Sequence, residues 1–118
     1  MACLVSLVMG CGGPGAAHYE AVIDGLALPD EWELARTVIY APDGDVKCDP
    51  SPFTDCPYAI RYFVTAEAPA EAYQAALVAV RGAGLEVSQE FDPSCNPQSQ
   101  VPCGFAANRG ADQMNVAI

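Results

Sequence analysis

Hydrophobic and polar residues alternate most clearly over Tyr58–Thr65, where every second side chain falls on the same face of an extended strand. Residues 33–41 contain a run of β-branched and aromatic side chains that also favours a strand. Three more runs read the same way, at residues 85–91, at Gly104–Arg109 and in the alternating Met114, Val116 and Ile118. The pattern therefore predicts a sheet of four to five strands.

A single helix is predicted over residues 69–81. Pro69 is suited to a first helical turn, and Glu71 lies near the positive end of the helix dipole. Gly82 follows the last periodic residue and favours an end to the helix. An apolar stripe with spacing i, i+3, i+4 and i+7 is formed by Tyr73, Ala76, Leu77 and Val80.

The predicted elements follow the order ββαβββ. Two loops bounded by cysteines, at residues 48–56 and 95–103, have the same Cys-x7-Cys spacing, and the helix lies between them. This order predicts an α+β two-layer sandwich, with a mainly antiparallel sheet and one helix packed on one face. The folded domain is expected to span residues 28–118, and disulfides are expected to stabilise it because so short a chain buries little surface.

The first ten residues carry no charge and are mostly apolar, which predicts a signal-peptide-like leader over residues 1–10. Val8-Met9-Gly10-Cys11 resembles a bacterial lipobox, in which the cysteine, here Cys11, is lipidated and becomes the new N-terminus. Residues 11–27 are then the lipid anchor and a flexible tether. Because no basic residue precedes the apolar run, the basic part of such a leader is expected upstream of Met1. The alternative is that residues 1–11 form a packed or disordered N-terminus of a cytosolic protein.

Four cysteines outside the leader and anchor are expected to form disulfides in an oxidising compartment. They allow three connectivities, of which Cys48 to Cys56 and Cys95 to Cys103 are favoured because each closes a short local loop. The competing interpretation is a zinc site with all four thiolates as ligands. Zinc ligands are usually two to four residues apart, so a gap of seven residues disfavours that site.

Charge and motifs exclude several classes of function. Fifteen acidic against five basic residues give a net charge of −10, which disfavours nucleic-acid binding. The carboxylates Asp43, Asp45 and Asp49 invite a calcium site, but the glycine and glutamate that a helix-loop-helix calcium loop requires are missing. Turn chemistry explains these aspartates better. No metal or other cofactor is predicted.

Catalytic candidates are few. The single histidine, His18, falls in the connector that precedes the predicted domain, and no hydrolase, nucleotide-binding or zinc-protease motif is present. Paired carboxylates are the remaining candidates for acid–base work, at Glu31 with Glu33 and at Glu86 with Glu90. On the solvent side of a strand such pairs more often serve solubility, so no catalytic residue is predicted.

Together the lipobox-like segment, the Leu28-Pro29-Asp30-Glu31-Trp32 turn, the two Cys-x7-Cys loops and the alanine-rich helix resemble small secreted lipoproteins of high-GC Gram-positive (actinobacterial-type) bacteria. The resemblance implies export, a lipid anchor on Cys11 and disulfides, and it implies no activity. The expected function is a non-enzymatic binding module, tethered outside the cytoplasm to the membrane, with a cell-envelope protein or ligand as its partner. The alternative is a small extracytoplasmic hydrolase that uses carboxylates.

Overall fold

A computed structural model of the chain describes residues 3–10, 15–40, 57–96, 98, 103–110 and 112–118. These residues form six strands and two helices. In chain order the elements are β1 (Cys3–Gly10), α1 (Ala16–Asp24), β2 (Glu33–Tyr40), β3 (Tyr58–Thr65), α2 (Pro69–Gly82), β4 (Glu86–Phe91), β5 (Gly104–Arg109) and β6 (Asp112–Ala117).

All six strands belong to one antiparallel sheet with the order β2-β3-β1-β6-β5-β4. The first strand of the chain lies in the middle, where β1 pairs with β3 on one side and with β6 on the other. Because β3 lies between β1 and β2 and is antiparallel to both, β1 and β2 run parallel to each other. The helix α1 supplies the crossover that such a parallel connection requires.

The hydrophobic core lies between one face of the sheet and the two helices. On β1, Val5, Leu7 and Met9 have no exposed surface, whereas Leu4 is 55% exposed on the opposite face. The neighbouring strand β6 places Met114 and Val116 beside Met9 and Leu7 on the buried face. The pattern in both strands is the period-two alternation of a sheet that is covered on one side only.

The helix α1 is held to the sheet by apolar packing and by ion pairs. Its buried side chains recur at helical spacing and are Ala16, Tyr19, Val22 and Ile23. From β3, the Arg61 guanidinium binds the carboxylates of Glu20, at 3.2 Å, and Asp24. Because the Arg61 side chain is only 16% exposed, these pairs connect helix and sheet under partial burial.

The helix α2 confirms the predicted helix. Pro69 lies in its first turn, Glu71 is the acidic residue of that turn, and the predicted apolar stripe is buried. The Tyr73 hydroxyl donates a hydrogen bond to Glu90 on β4 at 2.5 Å. Burial, followed by the contact with Glu90, raises the pKa of Tyr73 above its usual range, so the phenol stays protonated and continues to donate.

Two features of the fold differ from the sequence prediction. The sheet has six strands rather than four to five, and two helices rather than one pack against it. Both extra elements come from residues 3–24, because the run predicted as a leader forms β1 and part of the predicted tether forms α1. The physical reason is that Val5, Leu7 and Met9, at every second position, all lie on the buried face of β1. They complete the core in the middle of the sheet.

One of the two predicted disulfides is present. Cys95 is bonded to Cys103 and closes the connection between β4 and β5, as the local pairing predicts. Cys103 is also buried against the core, and its carbonyl accepts a hydrogen bond from the Ile118 amide at 2.8 Å. The predictions for Cys48, Cys56, the lipidated Cys11 and the aspartates of the 43–49 turn lie outside the described residues.

Gly104, the first residue of β5, has no room for a side chain. A Cβ added there would overlap the backbone carbonyl oxygen of Val116 on the neighbouring strand β6. We expect Gly104→Ala to destabilise the protein by about 2 kcal/mol, because a backbone atom must shift to accommodate the methyl group. Urea unfolding measures this, with Gly82→Ala as the control because a Cβ at Gly82 would contact nothing within 4 Å. Equal stability of the two variants would contradict the close approach.

Candidate functional site

A cleft of about 360 Å³ opens where α1 faces the end of α2 and the β5–β6 hairpin. We call it the α1 cleft. Its wall combines apolar and small groups with two side chains that can carry positive charge, and it is lined by His18, Ala21, Val22, Gly25, Ala83 and Arg109. A volume in this range is typical of small-molecule sites.

His18 is fixed in the cleft wall by a carboxylate from the far end of the chain. Its Nε2 atom lies 2.7 Å from Oδ2 of Asp112, the first residue of β6. The Asp112 side chain is 11% exposed, whereas that of His18 is 34% exposed. The carboxylate therefore orients the imidazole from the buried side and leaves part of the ring accessible.

Arg109 supplies a cationic group at the same cleft. It is the last residue of β5 and pairs in register with Asp112 across the hairpin turn. Its Nη1 atom donates a hydrogen bond to the carbonyl of Ala83, just past α2, at 3.1 Å. In the described part of the chain no carboxylate forms a salt bridge with this guanidinium. Its charge and its remaining N–H donors are therefore available to a ligand.

The arrangement can bind and orient an anion. Arg109 offers donors in a planar fork that matches a carboxylate. The His18 ring, held in place by Asp112, lies in the same wall. Ala21 and Val22 provide an apolar wall beside these groups. Among the described residues that line the cleft, none has a hydroxyl, thiol or carboxylate side chain. The described lining therefore supplies a charged donor and an apolar wall for a bound anion.

The carboxylate pairs considered as acid–base candidates do not form a site. Glu31 and Glu33 are both exposed beside the start of β2. Glu86 and Glu90 point to opposite faces of the sheet, because a bulge between Val87 and Gln89 shifts the alternation of β4. Glu90 then lies on the helix side, where it accepts the hydrogen bond of Tyr73.

Cys3 is the free cysteine of the described residues and lies partly buried at the start of β1. Burial raises the pKa of its thiol, and the negative charge of Glu67 raises it further. The thiolate is therefore disfavoured, which makes Cys3 a poor nucleophile. Among the described residues no three potential ligands are grouped to hold a metal ion, and neither helix is long and apolar enough to cross a membrane.

Sequence reasoning assigns no role to His18 and Arg109, which line the α1 cleft, or to Asp112, which contacts His18. His18 falls in the predicted connector, and Arg109 ends a predicted strand. A signal for the first existed, because Tyr19, Val22, Ile23 and Leu26 have the i, i+3, i+4, i+7 spacing of a buried helix face. That spacing predicts α1 and leaves His18 beside its apolar stripe.

Comparisons with protein families, with curated proteins and with solved structures found no match to this chain.

Proposed function

We propose that this protein is a non-enzymatic binding module that holds a small carboxylate-bearing molecule in the α1 cleft. One observation carries the proposal. In a chain with a net charge of −10 and only five lysines and arginines, Arg109 and the single histidine line the same cavity. A net negative charge repels anions from most of a surface, so an anion is expected to bind where the Arg109 guanidinium is held in a cleft.

A monocarboxylate with a short apolar body fits the lining best. The guanidinium of Arg109 can take both carboxylate oxygens, and charge-assisted bonds of this kind are about twice as strong as neutral ones. Ala21 and Val22 offer apolar contact to the rest of the ligand, in a cavity of about 360 Å³. Asp112 holds the His18 ring, which forms a fixed part of the wall beside the ligand.

The test is a titration with the sodium salts of straight-chain monocarboxylates from acetate to hexanoate, followed by amide chemical shifts and by calorimetry. Arg109→Gln should weaken binding at least tenfold, because an uncharged amide replaces a charged fork. Arg36→Gln removes the same charge from exposed β2 and should leave the affinity unchanged. Matching primary amides of the same chain lengths should bind more weakly than the acids.

A second variant tests the shape of the cleft with its charges intact. Ala21 is exposed on α1 and lines the cavity, so Ala21→Phe should fill it and abolish hexanoate binding while the fold is retained. Acids and amides that bind equally well would contradict the proposal. So would an affinity that neither Arg109→Gln nor Ala21→Phe lowers.

The location outside the cytoplasm remains part of this proposal. It is supported by the Cys95–Cys103 bond, because such bonds persist in oxidising compartments and are rare in the cytosol. The lipid anchor on Cys11 stays a prediction. It requires cleavage before Cys11, whereas the fold uses Cys3–Gly10 as the strand β1. Release of residues 1–10 would remove β1 from the middle of the sheet.

A further inference from the structure

The α1 cleft runs along one side of the helix α1. Four of its lining residues belong to this part of the chain and recur at i, i+3, i+4 and i+7, namely His18, Ala21, Val22 and Gly25. Residues with this spacing lie on the same face of a helix. At about 1.5 Å per residue, the stripe is about 10 Å long. The cleft therefore follows α1 from its first turn to its C-terminal end, and it has two distinct ends.

The cationic end of the cleft lies beside His18. Asp112 contacts the His18 ring at 2.7 Å, and Arg109 pairs in register with Asp112 across the hairpin turn. Cross-strand partners have Cα atoms about 5 Å apart, so Arg109 enters the cleft at this end. The proposed function places the carboxylate of the ligand here.

The opposite end of the cleft, at Gly25, offers a hydrogen-bond acceptor. Glycine has no side chain, so Gly25 lines the cleft with backbone atoms. Its N–H donates to the carbonyls of Ala21 and Val22, at 3.1 and 3.2 Å. Among the described residues, no backbone N–H outside the regular elements donates to the carbonyl of Gly25 itself. The polar group that this end has left for a ligand is therefore an acceptor.

The Gly25 end is also electrostatically negative. The helix dipole places partial negative charge at the C-terminus of α1. Asp24 is the last residue of this helix, and its last turn contains no basic side chain. From β3, Arg61 binds the carboxylates of Glu20 and Asp24. One guanidinium thus faces two carboxylates, and the excess charge around this end of α1 is acidic.

A ligand with two opposite charges matches this cleft better than an anion alone. The chain carries −10, so a ligand with a net negative charge is repelled on its approach, whereas a zwitterion carries no net charge. Ala21 and Val22 lie between the two ends of the stripe and offer apolar contact to a methylene chain. An ammonium group donates three hydrogen bonds and accepts none, which suits the acceptor end.

We propose that the α1 cleft selects ω-amino acids, with the carboxylate at Arg109, the methylene chain along α1 and the ammonium at the carbonyl of Gly25. This inference rests on the proposed function and narrows its ligand to carboxylates that carry a cation at the far end of a short chain. At about 1.2 Å per bond, an extended six-carbon chain with its ammonium is about 7 Å long. A hydrogen bond of about 2.9 Å at its end brings it to the length of the stripe.

The first test compares the binding of hexanoate, ω-aminohexanoate and α-aminohexanoate to the full chain by calorimetry. The ω isomer should bind at least tenfold more tightly than hexanoate, because its ammonium adds a charge-assisted hydrogen bond at the Gly25 end. The α isomer has the same two charges, but its ammonium lies next to the carboxylate and cannot reach that end. It should therefore show no such gain.

Gly25→Lys tests the acceptor end directly. A side chain fits there, because the backbone is helical and an added Cβ would meet the carbonyl oxygens of Ala21 and Val22 at 3.5 Å, an ordinary contact. The lysine ammonium then supplies a cation at this end, so the gain of ω-aminohexanoate over hexanoate should disappear. Val78→Lys is the matched control, since it adds the same charge at a position that is 70% exposed on α2, and it should keep the gain.

The outcomes distinguish a failure of this inference from a failure of the proposed function. If hexanoate binds through Arg109 and ω-aminohexanoate binds no more tightly, the inference fails and the proposed function stands. An α isomer that binds as tightly as the ω isomer also overturns the inference. So does a Gly25→Lys variant that keeps the gain. If neither hexanoate nor ω-aminohexanoate binds, the proposed function fails and the inference fails with it.

Discussion

A chain that lacks residues 1–10 is expected to lose its cooperative fold. These residues include β1, which lies in the middle of the sheet and pairs with strands on both sides. Without it, β3 and β6 each lose a neighbour, and the sheet is divided into two parts. The measurement is circular dichroism together with urea unfolding followed by the fluorescence of the single tryptophan, Trp32, which is buried.

The size of the effect follows from burial. Val5, Leu7 and Met9 are fully buried, and each such side chain contributes about 1.5–3 kcal/mol by leaving water. Their sum is comparable with the whole stability of a typical domain, about 5–15 kcal/mol, before any lost hydrogen bonds of the ladder are counted. A truncated chain should therefore show neither a sharp unfolding transition nor the emission of a buried tryptophan.

Two substitutions in β1 test whether residues 1–10 are a cleaved leader or part of the folded sheet. Leu7 is fully buried, so Leu7→Ala should cost about 2–5 kcal/mol, whereas Leu4→Ala removes a side chain that is 55% exposed and should cost less than about 1 kcal/mol. If residues 1–10 were cleaved from the mature protein, both variants would have the stability of the wild type. The intact mass of protein isolated from its host decides directly whether Cys11 is the N-terminus.

The sequence predicts the second half of this fold well, because each element there has an unambiguous period. The helix α2 has a proline start, a glycine end and a clear stripe, and β3 alternates over eight residues. The hairpin of β5 and β6 is marked by Gly110, whose φ of 61° suits a tight turn. These local signals agree with the tertiary structure and need no distant partner.

The first strand could not be predicted in the same way. Val5, Leu7 and Met9 lie on one face of β1, but Leu4 and Val8 on the other face are apolar too, and Ser6 is the polar side chain between them. The alternation is therefore hidden in the sequence. Such a continuous apolar run is typical both of a central strand and of a signal-peptide core, and length alone does not separate them. Only the register with β3 and β6 shows which side of β1 faces the helices.

The candidate site lies beyond sequence reasoning for a different reason. His18 and Asp112 are 94 positions apart and meet only because β6 lies beside β1 and the β5–β6 hairpin ends beneath α1. Neither residue belongs to a motif. The contact between His18 and Asp112 depends on the order of the strands in the sheet. The sequence alone does not predict that order.

The disulfide between Cys95 and Cys103 gives the last prediction. Replacing both residues with alanine should lower the free energy of unfolding by about 2.6 kcal/mol, because the bond restricts the unfolded chain over a separation of eight positions. For a chain of this length that corresponds to a fall in Tm of about 10 °C. Calorimetry of the oxidised wild type and the double variant measures it, with Cys3→Ser as the control for loss of a free thiol.

Reduction of the wild type separates this bond from the predicted Cys48–Cys56 bond. If only the Cys95–Cys103 bond contributes, a reducing agent should lower the Tm of the wild type to that of the double variant and should leave the double variant unchanged. A further fall in the double variant would show that a second disulfide stabilises the domain, and peptide mapping without reduction would identify its cysteines. A chelator should have no effect on any of these proteins, because a disulfide, unlike a zinc site, holds no metal. A double variant as stable as the oxidised wild type would show that the bond adds nothing to the fold, since Cys103 would then be held by its packing against the core alone.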